Sequence, residues 1–463
     1  KNNGEGLSHL MAKTRGTGEA YLDKVPMISG KQEAWKYTNL KRLFEPFVKE
    51  SQAKGVVVGA TDVAAYIDEA CAEACLVFVD GIYRADLSST AHVPASIDFA
   101  SLQSGKVSDT GMAMLEADMG LAYMVDVDVK PRDSFGSDVL TAMNMKGMVD
   151  AAVLHVPKDV DVQQPLEVLY YSSGAQGTFT APRTVVNVEP GAQVHLKQVF
   201  AGGGSAVMRS GPASMSEPGA TDASAVLVNS NTHCQVASGG SLMHTYVQEM
   251  GLEARHLETL TSEVSGEGSY ECSVLQMGSR IGKVNAHIHL RGAFSNGTIN
   301  GTLLAHARQS LDLHSSILHG APDCQSRQQQ RNVIGDRGEA IFKGRIVVPK
   351  IAQGTDSDQL CRTLMLGERA RIVVMPTLEI TADDVTCSHG ASVADLDENS
   401  MFYLGARGIG RKEARKLLVK GFVYEMVGGA VMGRNSRSRI DAKLVSLTPE
   451  NDLGTSAQAL ESI

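Results

Sequence analysis

A chain of 463 residues with 43% hydrophobic and 21% charged residues has the composition of an ordinary globular protein, long enough for about three domains or one extended repeat body. No run approaches the roughly 18 apolar residues of a membrane helix, and a net charge of −9 with its basic residues largely dispersed gives no footprint for nucleic acid. Seven cysteines, an odd number without regular spacing, argue against a disulfide framework and for a reducing compartment.

Residues 1–137 mix helical and strand patterns and form the expected N-terminal helical or α/β region. The chain begins at Lys1, not Met, and shows no signal-peptide pattern, so a processed or trimmed form is expected, with a transit peptide as a candidate for the missing piece. Cys71 and Cys75, four apart, are expected on one face of a short helix as packing thiols. From about Val149 the pattern changes to short alternating strands broken by Gly, Asn, Asp and Pro. In KVNAHIHLRG, Val284, Ala286, Ile288 and Leu290 form an apolar face, and Asn285, His287, His289 and Arg291 an outward polar one. Similar strands recur at about 25 residues, the spacing of stacked coils in a β-solenoid. A mainly β fold follows, with a right-handed parallel β-helix over residues 138–391; a β-sandwich is the alternative. Residues 202–224, rich in Gly, Ser, Ala and Pro, are expected to be a mobile insertion.

Past Asp397 the apolar period lengthens. Ala414, Leu417, Leu418, Phe422 and Met426 fall on one helical stripe, opposed by Arg411, Lys412, Arg415, Lys416 and Lys420. Residues 392–463 are therefore expected to form a C-terminal helical domain, weakly ordered after Asn435.

Few motifs carry chemistry. His287-x-His289 puts two imidazoles on one strand face, but Gly282 is too close and positions 293 and 294 are Ala and Phe, so a cupin metal site does not fit. His306, His314 and His319 are expected at strand edges. Cys234, Cys272 and Cys324 are expected to be structural, whereas Cys361, which opens a strand-like run, is held in reserve. GARGIGRK (Gly405–Lys412) has Arg411 where a P-loop needs Lys and Lys412 where it needs Ser or Thr. The remaining candidate is Cys387-x-His389. In an extended strand these side chains leave one face about 7 Å apart at Cα, and a thiolate beside an imidazole suits iron or zinc. Two ligands do not close a site, so the others would come from another chain.

Four segments resemble the SufB/SufD family of iron-sulfur assembly scaffolds, and within it the SufD branch. QEAWKYTNLKRL (Gln32–Leu43) is similar to its EWKYT-type signature. HGAPDCQSRQQQRNVIGDRGEAIFKGRIVV (His319–Val348) resembles the family core, and LEITADDVTCSHGA (Leu378–Ala391) its end. FYLGARGIGRKEARKLLVKGF (Phe402–Phe422) resembles the helical region that holds the ATPase SufC. The resemblance implies a β-helix scaffold without catalysis of its own. It implies pairing with a SufB-like paralogue and binding of the ABC-type ATPase SufC through Arg407, Gly408, Ile409, Lys412 and Leu418. It further implies iron or an iron-sulfur cluster held transiently at the SufB/SufD interface by Cys387 and His389, with ATP hydrolysed by SufC and no nucleotide bound by this chain. The long insertion points to a plastid stroma; a bacterial cytoplasm is the alternative. Two rival classes are a secreted β-helix enzyme acting on polysaccharide, which 5% aromatics disfavour, and a metal-free interaction solenoid.

Overall fold

The computed structural model describes residues 3–44, 57–104, 106–118, 135–174, 177–202, 226–430 and 432–448. Beyond Gly202, the expected insertion lies outside the described residues.

Strands with alternating apolar residues must bury one face, and here the chain does so by winding successive strands into two sheets around one core. Sheet one runs β2 (Ile82–Tyr83), β1 (Cys75–Val79), β5 (Leu166–Ser172), β8 (Gln193–Gly202), β10 (Ser241–Gln248) and β12 (Ser269–Gln276). It continues through β14 (Asn296–Ala305), β16 (Gln325–Ile334), β18 (Thr355–Met365) and β20 (Val385–Ala394). Sheet two runs β3 (Asp98–Ser101), β4 (Ala152–Val156), β7 (Arg183–Val188), β9 (Val226–Val236) and β11 (Ala254–Val264). It ends with β13 (Ile281–Leu290), β15 (Ser310–His319), β17 (Glu339–Val348) and β19 (Arg371–Ile380), while the short β6 (Phe179–Thr180) pairs with β9.

Neighbours are parallel throughout except β1 with β2 and β3 with β4. Arg255 pairs with Ile281, Ile281 with Ser310, Ser310 with Glu339 and Glu339 with Arg371, so each coil advances by 26 to 32 residues. That period is slightly longer than the sequence pattern indicates, and parallel pairing of every second strand makes this a β-solenoid, not a sandwich. Val284, Ala286, Ile288 and Leu290 all point into its core.

The outer faces are roofed differently. The N-terminal region holds α1 (Asn3–Leu22), α2 (Leu40–Phe44), α3 (Ala60–Ala64), α4 (Asp109–Asp118) and α5 (Ser137–Gly147); α1, α2, α4 and α5 cover sheet two, whereas Val63 of α3 joins the outward row of sheet one. Asn144 of α5 donates to the Asn229 carbonyl at 2.8 Å, and Asn229 donates to the Leu140 carbonyl at 2.9 Å. Trp35 is wholly buried among Leu140, Leu227, Leu257 and Ile281, and its Nε1 donates to the Phe135 carbonyl at 3.0 Å. The polar row expected to face outward is therefore covered in part: Asn285 donates to Ser137 Oγ at 3.0 Å, and His287 lies 2.9 Å from the same hydroxyl. The alternation is as read, but a helix replaces solvent.

Sheet one is covered by the C-terminal helices α6 (Glu398–Ala406), α7 (Arg411–Val427) and α8 (Arg434–Leu447). Asp397 caps α6 by accepting from the Asn399 and Ser400 amides. The stripe of α7 that meets the sheet is Ala414, Val419, Val423, Met426 and Val427, rotated from the expected one; Leu417 is 50% exposed. Branched residues of α7 pack on Val199, Val247, Leu275, Leu304 and Val333, the outward row of sheet one. The segment after Asn435, expected to be weakly ordered, is helical through Leu447, with Ile440, Leu444 and Leu447 seated on this row.

Asp68 ties the two regions together. It accepts from the amides of Gly433 and Ser436 at the start of α8 at 2.9 and 3.1 Å, and it pairs with buried Lys197. Lys197 also reaches Glu167 at 3.2 Å and Ser436 Oγ at 3.0 Å. Burial pushes the Asp68 carboxyl upward, but Lys197 and the helix amides hold it below its ordinary value. Cys71 and Cys75 do not share a helix: Cys71 closes the 3-10 turn Glu69–Cys71 and Cys75 opens β1, both buried.

Candidate functional site

The C-terminal end of the solenoid is built unlike its middle. β19 pairs only with β17, and β20 only with β18, so among the described residues both strands keep one open edge. No further coil covers the inward side chains, and every position of β19 from Ile372 to Leu378 is half-buried. Ile380 and Val393 are 36% and 51% exposed. Such an open edge, with Pro376 as its one interruption in β19, is a template for pairing with another chain.

Cys387 and His389 lie on β20, in register with Ser357 and Gln359 of β18. Cys387 is half-buried and packs against the small cluster of Ile346, Val348, Ala352 and Ala382, together with Leu378 and Val385. His389 is exposed one strand repeat further on. Burial raises the Cys387 thiol above its ordinary value, Asp356 adds to this, and the Ser357 amide opposes it in part. In the isolated chain the thiol is thus protonated near neutrality, and a cation arriving at the edge would be what stabilises the thiolate.

Among the described residues, no group of three or more His, Cys, Asp or Glu is arranged to hold a metal ion. Of the acidic residues before the pair, Glu379 is bound bidentately by Arg345 at 2.8 and 2.6 Å. The backbone amides of Asp383 and Asp384 donate to Gln353 Oε1, which fixes the turn ahead of β20. Cys387 and His389 are two candidate ligands on an open edge, short of the four a closed tetrahedral site requires.

A polar row behind the pair escaped the sequence reading. Ser357 lies 2.7 Å from Ser326, Gln359 donates to Gln328, and Asn332 donates to Cys361 Sγ at 3.6 Å, all inside the solenoid. Gln359 Oε1 is buried without a hydrogen-bond partner, one coil beneath His389. Polar letters at alternate inward positions of β18 were the available signal. Cys361 lies within β18, not at its start, and burial pushes its thiol to about 11.

The other histidines are not at this site. His287 stacks on Phe135 at 5.5 Å, and burial pulls it down to about 3. His289 is half-buried on the same strand. His314 lies within β15, 2.9 Å from Asp312, and His319 ends that strand 2.9 Å from Ser326 Oγ. His306 sits in the turn before β15, 2.8 Å from Gln309.

The GARGIGRK segment forms a helix-turn-helix, not a strand-loop-helix. Gly408 adopts φ +81°, the left-handed conformation that ends α6, and the Ile409 amide donates back to Leu404. Arg407 stacks on Tyr403 at 4.4 Å, Lys412 is exposed, and Ile409 and Leu418 are half-buried. The sequence reading missed the exposed apolar residues around this turn: Phe402 at 78%, Tyr403 at 56% and Leu417 at 50%.

Comparison with known proteins accounts for nearly the whole chain. Residues 4–168 match the SufBD protein N-terminal region, and residues 170–422 match the SufBD core domain of SUF system FeS cluster assembly. The chain is 30% identical over 298 residues to Protein ABCI7, chloroplastic, of Arabidopsis thaliana, covering 63% of this chain and 59% of that one. An iron-sulfur cluster assembly SufBD family protein of Synechocystis is 25% identical over 422 residues, 91% of this chain and 87% of the relative. Escherichia coli SufD is 33% identical over 150 residues, which is 32% of this chain and 36% of that protein. The matches thus span about three fifths of the Arabidopsis relative and about a third of the E. coli one. With its N-terminal region and coiled core both matched, the chain belongs to the SufBD family of iron-sulfur cluster assembly proteins.

Proposed function

We propose that this chain is a SufD-like scaffold subunit that pairs edge to edge with a SufB-like paralogue and binds the ATPase SufC through its C-terminal helices. The observation that carries the reading is the open terminal coil, where two unpaired strand edges bring Cys387 and His389 to a surface that a homologous edge can extend. Iron and sulfide are then cargo, held transiently between the two chains, with Cys387 giving a thiolate and His389 an imidazole. The polar row of Ser357 and Gln359 offers hydrogen bonds beneath those ligands. SufC docks on the turn of Arg407, Gly408 and Ile409 with Lys412 and Leu418, where exposed Phe402 and Tyr403 enlarge the contact. ATP is hydrolysed on SufC. The chloroplastic relative supports a plastid stroma as the compartment.

Anaerobic co-expression with a SufB-like paralogue and SufC tests this. The complex is expected to form with wild type, Cys387→Ala and His389→Ala alike, while both variants assemble less cluster as read by iron and acid-labile sulfide. Unchanged cluster yield in both would remove the ligand assignment; a chain that binds neither protein would remove the scaffold reading itself.

A further inference from the structure

Three turns that lead into sheet two repeat one geometry: the amides of Gln309, Gly338 and Ala370 donate to the carbonyls of His306, Gly335 and Gly367. Arg308, Arg337 and Arg369 hold the same place in these turns, two residues ahead of Ser310, Glu339 and Arg371, which pair in register. Parallel coils stack about 4.8 Å apart, so three guanidinium groups stand on successive coils. Arg280, one residue ahead of Ile281, and Arg371, the first residue of β19, flank them on the coils at either end. Arg42 of α2, with Tyr37 and Asn39, closes the row from the N-terminal side.

These residues line one groove of about 780 Å³, in which six arginines face only two glutamates, Glu339 and Glu368. Among the described residues, the side chains of Arg280, Arg308, Arg337, Arg369 and Arg371 make no hydrogen bond or ion pair, and Glu339 accepts from Ser310. Burial, and then the charges of Arg42, Arg308 and Arg255, hold the Arg280 guanidinium below its usual value. Like charges gathered without partners weaken the fold, so their retention in a concave site calls for a multiply charged anion. The volume lies within the roughly 300–1,000 Å³ of small-molecule pockets. Arginine forks match phosphate oxygens bidentately, and a row with a rung on each coil suits several linked phosphates better than one oxyanion. Tyr37, 38% exposed on the wall with Lys36 Nζ 5.4 Å from its ring centroid, leaves the opposite ring face for a base.

We propose that this groove binds a compound carrying two or more linked phosphates, either a nucleotide or an inorganic polyphosphate. The expectation that this chain binds no nucleotide drew on the altered P-loop pattern at 405–412, which is in the C-terminal helices and does not line this groove.

Calorimetric titration of the full chain at fixed ionic strength with tripolyphosphate, pyrophosphate, ADP and sulfate decides the matter. Tripolyphosphate is expected to bind saturably at least tenfold tighter than sulfate, and the Arg308→Ala/Arg337→Ala double variant to lose tenfold or more. An Arg327→Ala/Arg362→Ala variant, which removes two exposed arginines of sheet one outside the groove, should bind as wild type does. Tripolyphosphate should also raise the melting temperature of wild type but not of the Arg308/Arg337 variant. ADP binding tighter than pyrophosphate, with the excess lost in Tyr37→Ala, identifies a nucleotide; equal binding identifies polyphosphate. The proposal is overturned if all anions act through ionic strength alone, if both double variants weaken equally, or if a glutamate-rich peptide binds tighter than tripolyphosphate, which would make the groove a protein-docking surface.

Discussion

The two ends of the solenoid differ in how they treat their last strands. At the N-terminal end, β2 and β3 run antiparallel to their neighbours and end each sheet with two-residue and four-residue strands, short edges that offer little to an incoming chain. At the C-terminal end, β19 and β20 are full ten-residue strands, parallel to the stack and open on one side. The proposed pairing assigns the bare end to a partner. The contrast also separates stability from function: substitutions in the closed body should unfold the chain, and those at the open end should spare it.

The largest effect is expected where the closed body holds its buried charges. Lys197→Met leaves Asp68 and Glu167 buried without their cation and should cost about 3–5 kcal/mol in urea unfolding; a loss below about 1 kcal/mol would show the network to be dispensable. Ile317→Ala, deep in the core, should cost roughly 2–5 kcal/mol. Val393→Asp at the open edge should change stability by less than about 0.5 kcal/mol yet reduce pairing with a SufB-like paralogue, measured by analytical ultracentrifugation. Equal destabilisation by the two would erase the contrast between body and end.

Lys443 supplies a pH test within the closed body. Burial lowers its pKa from 10.5 to about 7, so the native state holds it neutral over a range in which the unfolded chain holds it charged. The unfolded state binds the extra proton, and stability should rise with pH between about 7 and 10.5, by up to about 1.4 kcal/mol per unit. Lys443→Met should flatten that slope. The smallest effect concerns the open end: the raised Cys387 thiol should react slowly with maleimide at pH 7, faster as pH rises, and more slowly again once a paralogue covers it.

Much of the fold was legible because its cause is periodic. Val284, Ala286, Ile288 and Leu290 announce an inward face, and Gly and Asp at the turns mark each coil. What the sequence could not show is what covers the opposite face. His287 reads as a surface residue until α5 lies over it, and Leu417 reads as core because helical phase alone cannot say which side meets a sheet. Cys387-x-His389 was visible as a pair because strand geometry fixes their shared face. Gln359 and Phe402 were not, since one acts from the neighbouring coil and the other by exposure.

The contact between Asp68 and the start of α8 spans 365 residues of sequence. During synthesis at roughly 5–20 residues per second, Asp68 emerges tens of seconds before the amides that it will accept from. As each coil forms, its part of the row of Val199, Val247, Leu275 and Leu304 waits for α7 and α8. The solenoid can wind as it is made, but this face is sealed only by its last two helices. Truncation near the C-terminus should therefore be felt at the opposite end of the chain, as aggregation of an otherwise complete coil.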